Sequence, residues 1–169
     1  MDELRVLIVE DNHHMSAILR TLLQAAGFRD IVEARDAESA FAMLADVRPD
    51  LALVDYQLEG GGQDGIAFTL RVRTDPESPC RDLPIILVTA HSERSRAMAA
   101  IDAGVNEFVV KPVSPKAVID RVRAVIEHPR PFITNDNYAG PDRRRRDDPN
   151  YTGPRRRAED DDGEEAVRI

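Results

Sequence analysis

Five short apolar runs, separated by longer segments with helical spacing, restrict the fold of this 169-residue chain more than any other feature. Buried strands that alternate with amphipathic helices are typical of βα units, whose parallel strands are covered by helices on both faces. The apolar runs lie at residues 6–9, 31–32, 51–54, 85–88 and 108–110. The pattern therefore predicts an α/β domain with a five-stranded parallel sheet.

The segments between the runs carry helix signals. Residues 13–26 hold apolar side chains at helical spacing, and Gly27 follows them as a C-terminal cap. The sharpest helix start combines Ser114 as N-cap with Pro115 at the first helical position. The remaining helices are predicted at residues 36–45, 65–73 and 92–103. Five strands and five helices therefore fit into one domain at residues 1–128.

Charged and polar residues follow four of the five runs. Glu10 and Asp11 come after the first, Asp55 after the third, Thr89 after the fourth and Lys111 after the fifth. The carboxyl ends of parallel strands share one edge of a sheet, where open α/β sheets bind their ligands. Any one of these residues could equally be a helix cap or could end a strand. Together they suit a divalent cation and a phosphoryl group.

The composition changes beyond His128. Residues 129–169 contain five prolines and few aliphatic residues, so they cannot bury enough apolar surface to fold alone. Residues 130–157 hold eight Arg and four Asp, whereas residues 158–169 hold one Arg and six acidic residues. We therefore predict a largely irregular C-terminal tail at residues 129–169, basic at first and then acidic.

The basic part of the tail contains an internal repeat. A Tyr-x-Gly-Pro unit precedes arginines at residues 138–146 and again at residues 151–157. Arginine grips phosphate and guanine in a bidentate manner, and tyrosine offers a stacking surface for a base. A ligand with two guanines and two phosphates would suit a unit that occurs twice. The candidate nucleotide-binding residues are Tyr138, Asp142, Arg143, Arg144, Arg145, Arg146, Asp147, Asp148, Tyr151, Arg155, Arg156 and Arg157.

Residues 1–128 resemble the receiver domain of two-component response regulators. The matching motifs, in chain order, are Glu10-Asp11, Asp55, Thr89-Ala90 and Lys111-Pro112. The resemblance implies a flavodoxin-like (CheY-like) doubly wound α/β sheet with strand order 2-1-3-4-5 and five helices. The sequence departs from the family in the loop after Gln57, which is longer and lacks the usual proline. We expect this loop to make the start of the third helix more flexible.

The same resemblance assigns roles to the polar residues. Asp55 would accept a phosphoryl group from a sensor histidine kinase or a phosphotransfer protein. Lys111 and Thr89 would contact the phosphoryl oxygens, and Phe108 stands at the switch-aromatic position of the family. The implied Mg²⁺ ligands are Glu10, Asp11, Asp55 and the backbone carbonyl of Gln57. The chain would then be a phosphoryl acceptor, with self-phosphorylation and autodephosphorylation chemistry, and not an enzyme with an external substrate.

The tail looks like the arginine-rich tail of the CheY-like cyclic di-GMP effectors, the Cle family, which act at the flagellar motor. This likeness implies a single-domain response regulator with a tail that binds cyclic di-GMP. Its output would be a protein contact that controls a flagellar motor or chemotaxis. Two alternatives remain: a phosphate shuttle or sink whose tail has no ligand, and a regulator whose arginines bind RNA or an acidic protein. We expect a cytoplasmic protein with no DNA-binding domain. We also expect no membrane span, because no apolar stretch approaches the ~20 residues that a spanning helix needs.

Overall fold

The computed structural model describes residues 3–58, 64–90 and 94–143. Within these ranges the chain alternates strands and helices and then ends in two further strands. The elements are β1 (Arg5–Val9), α1 (His13–Ala25), β2 (Asp30–Ala34), α2 (Ala37–Val47), β3 (Leu51–Asp55), α3 (Gly65–Thr74), β4 (Ile85–Thr89), α4 (Arg94–Asp102), β5 (Glu107–Val110), α5 (Pro115–Glu127), β6 (Phe132–Asn135) and β7 (Tyr138–Pro141). No helix in the described part of the chain has both the length and the apolar character that a membrane crossing requires.

The first five strands form one parallel sheet with the order β2-β1-β3-β4-β5. This order confirms the predicted doubly wound topology. Val9 pairs with Ala34 and Val54, and Thr89 pairs with Val110, so the strands end almost level. The level register brings the residues at the carboxyl ends of β1, β3, β4 and β5 to one edge.

Two apolar cores, one on each face, hold the sheet. Leu7 and Val9 of β1 pack in the core that contains side chains of α2, α3 and α4. Val6 and Ile8 pack in the opposite core with side chains of α1 and α5. Alternate residues of a strand point to opposite faces, so a strand covered on both sides is apolar throughout. This double burial explains the continuous apolar runs in the sequence.

The helix caps follow the sequence. Asp36 accepts a hydrogen bond from the Ser39 amide at 2.7 Å, and Ser114 accepts one from the Ala117 amide at 3.1 Å. Gly27, just beyond α1, has a φ of 96°, a conformation that favours glycine. The predicted caps are therefore confirmed.

The first residues of the predicted irregular tail form a hairpin, β6–β7, that packs against the α/β domain. Tyr138 is only 8% exposed, and its hydroxyl donates to the Pro141 carbonyl at 2.8 Å. Gly140 lies directly on Gly104, and a Cβ atom at position 140 would stand 2.7 Å from the Gly104 Cα. The close contact of two glycines from distant parts of the chain lets the backbones meet, and no local sequence pattern indicates it.

A buried arginine lies beneath this hairpin. Arg73 of α3 is 1% exposed and donates to the Gly104 carbonyl at 2.9 Å, to the Arg81 carbonyl at 2.6 Å and to Asn106 Oδ1 at 3.2 Å. Burial lowers the pKa of the Arg73 guanidinium to about 10, which leaves it charged at neutral pH. Its hydrogen bonds satisfy this buried charge. Residues 130–143 thus pack against a domain that was predicted to end at residue 128.

We expect the hairpin to stabilise the domain. A chain that ends at residue 129 should have a free energy of unfolding lower by about 2 kcal/mol than a chain that ends at residue 143, because it loses the burial of Tyr138. Urea unfolding of the two truncated chains measures this difference. Gly140→Ala in the longer chain should also destabilise it, since the new methyl group meets Gly104 and Tyr138. Equal stability of all three chains would show that the hairpin contributes nothing.

Candidate functional site

A cleft of about 510 Å³ lies at the carboxyl edge of the sheet. Its walls come from the ends of β1, β3 and β5 and from the start of α1. The lining residues are Glu10, Asp11, Asn12, His14, Met15, Asp55, Gln57 and Lys111. Five residues predicted for the site, Glu10, Asp11, Asp55, Gln57 and Lys111, therefore lie together.

Three carboxylates meet in this cleft. Glu10, Asp11 and Asp55 each offer one oxygen, and these oxygens all lie within 4.8 Å of one another. Glu10 is 2% and Asp55 is 6% exposed, so water screens their charges poorly. Negative charges held so close repel one another, and the arrangement suits a cation that prefers oxygen ligands.

Lys111 supplies one positive charge to this cluster. Its ammonium donates to Asp55 Oδ1 at 3.0 Å and lies 3.8 Å from Glu10 Oε2. The Lys111 amide donates to the Thr89 carbonyl at 2.7 Å, which ties the end of β5 to the end of β4. Sheet hydrogen bonding therefore positions the lysine backbone, while its long side chain reaches across β4 to Asp55.

Glu10 is the most perturbed acid of the cluster. Its Oε1 accepts a hydrogen bond from the Asn12 amide at 3.0 Å, but its buried Oε2 accepts none from the described residues. Burial raises the pKa of the Glu10 carboxyl to about 7, and the nearby charge of Asp55 adds to this rise. A buried oxygen without a hydrogen bond is available to a metal ion or to a metal-bound water.

Gly65 holds the backbone of Asp55 in place, a role that was not predicted from the sequence. A Cβ atom at position 65 would collide with the Asp55 carbonyl oxygen and with Leu87 Cδ1, the latter at 2.7 Å. The Gly65 amide also donates to the Tyr56 carbonyl at 2.8 Å. Asp64 caps α3 by accepting from the Ala67 amide. The Asp64-Gly65 pair was the available signal, because it combines a capping residue with a residue that lacks a Cβ.

These contacts fix the start of α3 at Gly65, directly beside the acidic cleft. The longer loop after Gln57 predicts a more flexible start of α3. Residues 59–63 of that loop lie outside the described residues. The described start of α3 is nevertheless hydrogen-bonded to Tyr56 and packed on Asp55.

The two predicted switch residues occupy different places. Thr89 ends β4 at the same edge as Asp55 and is buried. Phe108 lies further back on β5, paired with Leu87, and packs half-buried against the core that contains α2, α3 and α4. Thr89 thus borders the cleft edge, while Phe108 belongs to the packing behind it.

The predicted nucleotide-binding residues fall partly in the hairpin. The Tyr138 ring packs inside the hairpin instead of offering an exposed stacking surface, and the Arg143 guanidinium lies 4.1 Å from its centroid. The Asp142 amide donates to the Pro131 carbonyl at 2.7 Å. The other candidates, Arg144, Arg145, Arg146, Asp147, Asp148, Tyr151, Arg155, Arg156 and Arg157, lie outside the described residues.

Comparison with known proteins agrees with the fold and with the acidic cleft. The response regulator receiver domain model matches residues 6–123. The phosphate regulon transcriptional regulatory protein PhoB of Escherichia coli K12 is 33% identical over 132 residues, which are 78% of this chain and 56% of PhoB. The chain therefore spans little more than half the length of that relative.

Two further matches cover nearly the whole of the compared protein. The chemotaxis protein CheY of Pseudomonas aeruginosa is 32% identical over 124 residues, which are 73% of this chain and 97% of CheY. The solved receiver domain of a sensor histidine kinase from Pseudomonas aeruginosa PAO1 is 25% identical, with a TM-score of 0.61. That match covers 71% of this chain and 94% of the solved one, in which a magnesium ion is coordinated in the active-site cleft.

The raised pKa of Glu10 predicts that the metal-free protein becomes less stable as the pH rises. The carboxyl titrates near its ordinary value of 4.5 in the unfolded chain and near 7 in the folded one. Between these values the folded state holds a proton that the unfolded state has lost. The resulting stability is complete below the unfolded value and is lost as the pH rises through about 7. The loss should reach up to about 3 kcal/mol.

Urea unfolding in the presence of a chelator, at a series of pH values across this interval, measures the loss. Glu10→Gln should flatten the profile because it removes the titrating group. Added Mg²⁺ should offset the loss in the wild-type protein, since the ionised carboxylate then has a partner. The same slope in Glu10→Gln as in the wild type would assign the titration to another residue.

Proposed function

The chain belongs to the response regulator receiver domain family, and from this premise we propose that Asp55 accepts a phosphoryl group from a sensor histidine kinase or a phosphotransfer protein. The observation that carries the proposal is the pairing of Asp55 Oδ1 with the Lys111 ammonium at 3.0 Å, in a cleft shared with two further acids. This pairing suits a phosphoryl acceptor, because the Lys111 ammonium can turn from the carboxylate to the negatively charged oxygens of an incoming phosphoryl group.

The reaction would move one phosphoryl group between two proteins. An oxygen of the Asp55 carboxylate attacks the phosphorus atom while the bond from phosphorus to the donor imidazole nitrogen breaks, and the electron pair stays with the imidazole. Charge accumulates on the three transferred oxygens and must be neutralised. Lys111 could turn from Asp55 to one of these oxygens, because its ammonium already lies within hydrogen-bond distance of the Asp55 carboxylate. Thr89, at the same edge, can donate its hydroxyl to another.

A Mg²⁺ ion fits the residues of the cleft. Glu10, Asp11 and Asp55 would hold it with the backbone carbonyl of Gln57, and Glu10 Oε2 has no hydrogen bond from the described residues to give up. When bound, the ion would supply positive charge next to the transferred oxygens. In this proposal the protein is the acceptor of the phosphoryl group and does not turn over an external substrate.

We expect Asp55→Asn to abolish phosphorylation. Mg²⁺-dependent labelling by a small acyl phosphate should fall by more than about 100-fold, because the amide nitrogen is a far weaker nucleophile than a carboxylate. Intact-mass measurement or radiolabel incorporation would detect the loss. Asp64→Asn is the matched control, since it changes a nearby carboxylate that caps α3 and does not line the cleft. Labelling that persists in Asp55→Asn would place the acceptor elsewhere.

We also propose that the arginines of the tail bind cyclic di-GMP. The support is the repeated Tyr-x-Gly-Pro unit, which precedes an arginine cluster twice and matches a ligand with two guanines and two phosphates. The ring of Tyr138 is already covered by Arg143, so base stacking would fall to Tyr151 unless the hairpin opens. Phosphorylation and ligand binding would then act together on a protein target, with a flagellar motor component as the leading candidate and the cytoplasm as the place of action.

Calorimetry with cyclic di-GMP would test this ligand. The best comparison is the full chain against a chain that ends at residue 143, because the shorter chain keeps the hairpin and therefore the packing around Arg73. The affinity should fall by more than about tenfold in the shorter chain, since several charge-assisted hydrogen bonds are lost. Equal heats in the two chains would eliminate the tail as the binding site.

A control with an RNA oligonucleotide separates recognition from charge attraction. Binding that grows with oligonucleotide length, with no heat from cyclic di-GMP, would favour an RNA-binding tail. No heat from either ligand would favour a phosphate shuttle or sink. The acidic end of the chain disfavours RNA, because residues 158–169 would repel a polyanion.

A further inference from the structure

Arg143 is the only member of the arginine clusters within the described residues, and two groups of the folded domain hold it. Its guanidinium lies 4.1 Å from the centroid of the Tyr138 ring, and its Nη2 lies 3.3 Å from Asp102 Oδ1. The Arg143 side chain is only 21% exposed. We call these interactions of Arg143 with Tyr138 and Asp102 the Arg143 contact.

The Arg143 contact joins the start of the tail to the end of α4, because Asp102 is the last residue of that helix. Gly104, two residues later, lies against Gly140 of the hairpin. The space between them is too small for a methyl group, since a Cβ atom on Gly104 would stand 2.5 Å from the Ala139 carbonyl oxygen. The hairpin therefore cannot shift relative to the α4–β5 turn without breaking its packing.

Hydrogen bonds extend this connection to β5. Arg130 donates to the Asn106 carbonyl and, at 3.0 Å, to the Asp142 carbonyl, so it bridges the α4–β5 turn and the hairpin. The backbone amide of Asn106 in turn donates to the Ile85 carbonyl at 2.8 Å, and Asn106 immediately precedes β5. β5 leads to Lys111, whose ammonium contacts Asp55. A continuous set of contacts thus runs from the acidic cleft to Arg143.

We propose that the Arg143 contact couples the tail to the receiver fold: an anionic ligand on the tail and Asp102 at the end of α4 compete for Arg143. The proposal rests on the proposed tail ligand and adds its regulation. A ligand that engages Arg143 must separate it from Asp102. A change at α4 that strengthens the pair with Asp102 weakens ligand binding, and, because coupling between two sites is reciprocal, ligand binding disfavours that change at α4 by the same factor.

The size of the coupling follows from the exposure of the pair. Asp102 is more than half exposed, so the ion pair is partly screened by water and salt. Exposed ion pairs of this kind correspond to an effect of about two- to fivefold on binding. The Tyr138 ring also holds Arg143, so removal of Asp102 alone should loosen Arg143 without unfolding the hairpin.

Asp102→Asn provides the first test, by titration with cyclic di-GMP at low salt. The affinity of the variant should rise by about two- to fivefold relative to the wild type. Asp46→Asn is the matched control, since it makes the same change in net charge at an exposed position of α2. An equal gain in affinity in both variants would mean that the gain comes from the change in net charge and not from Arg143. No gain in Asp102→Asn would refute the proposed competition for Arg143.

A second test needs no tail ligand. Hydrogen exchange of the backbone amides of residues 138–140, 142 and 143 is compared with and without Mg²⁺ and beryllofluoride, which mimics a phosphoryl group on Asp55. In the wild type, loading the cleft should change the exchange rates by about threefold or more, and Asp102→Asn should reduce this change at residues 142 and 143, which are next to the lost ion pair. Unaltered hairpin exchange while β5 responds would refute the coupling. If cyclic di-GMP binds to neither protein, the proposed tail ligand is wrong, and hydrogen exchange alone decides on the Arg143 contact.

Discussion

The mutual repulsion of three carboxylates at one edge of a parallel sheet is the constraint on which the rest of this structure depends. Glu10, Asp11 and Asp55 lie with oxygens within 4.8 Å of one another, and two of these residues are almost fully buried. Such a cluster is unfavourable unless a cation or a proton offsets its charge. The Lys111 ammonium offsets part of the negative charge. The raised pKa of Glu10 shows that the remaining charge favours a proton on this carboxyl. The site is therefore prepared for added positive charge.

A rigid support is needed to hold such a cluster together. Apolar cores on both faces of the sheet fix the strands, and Gly65 lets the start of α3 press directly on the backbone of Asp55. The energy that opposes the repulsion thus comes from burial of apolar side chains elsewhere in the domain. The acidic residues occupy strand ends, where the backbone is held by the sheet while the side chains face the cleft.

The hairpin beyond α5 attaches the first part of the tail to the domain. By composition, residues beyond His128 cannot form a core of their own, and this remains true of the hairpin as an isolated segment. It folds because the receiver supplies a surface formed by Gly104 and the buried Arg73. Arg143, the first residue of the two arginine clusters, consequently lies at the end of α4, next to Asp102, instead of being separated from the domain by a linker.

The sequence by itself determined the alternation of strands and helices, the caps at Asp36 and Ser114, and the meeting of Glu10, Asp11, Asp55 and Lys111 at one edge. The strand order was implied by the resemblance to the receiver family, and the structure confirms it. Periodicity, capping chemistry and the shared edge of parallel strands are local or topological rules, so they can be read along the chain. Only the tertiary structure decided that Gly65 supports Asp55, that Tyr138 is buried, and that Gly140 meets Gly104. These contacts depend on the distance between atoms that are far apart in the chain. A glycine in the sequence does not show which backbone it lets approach, and only the folded structure identifies that neighbour.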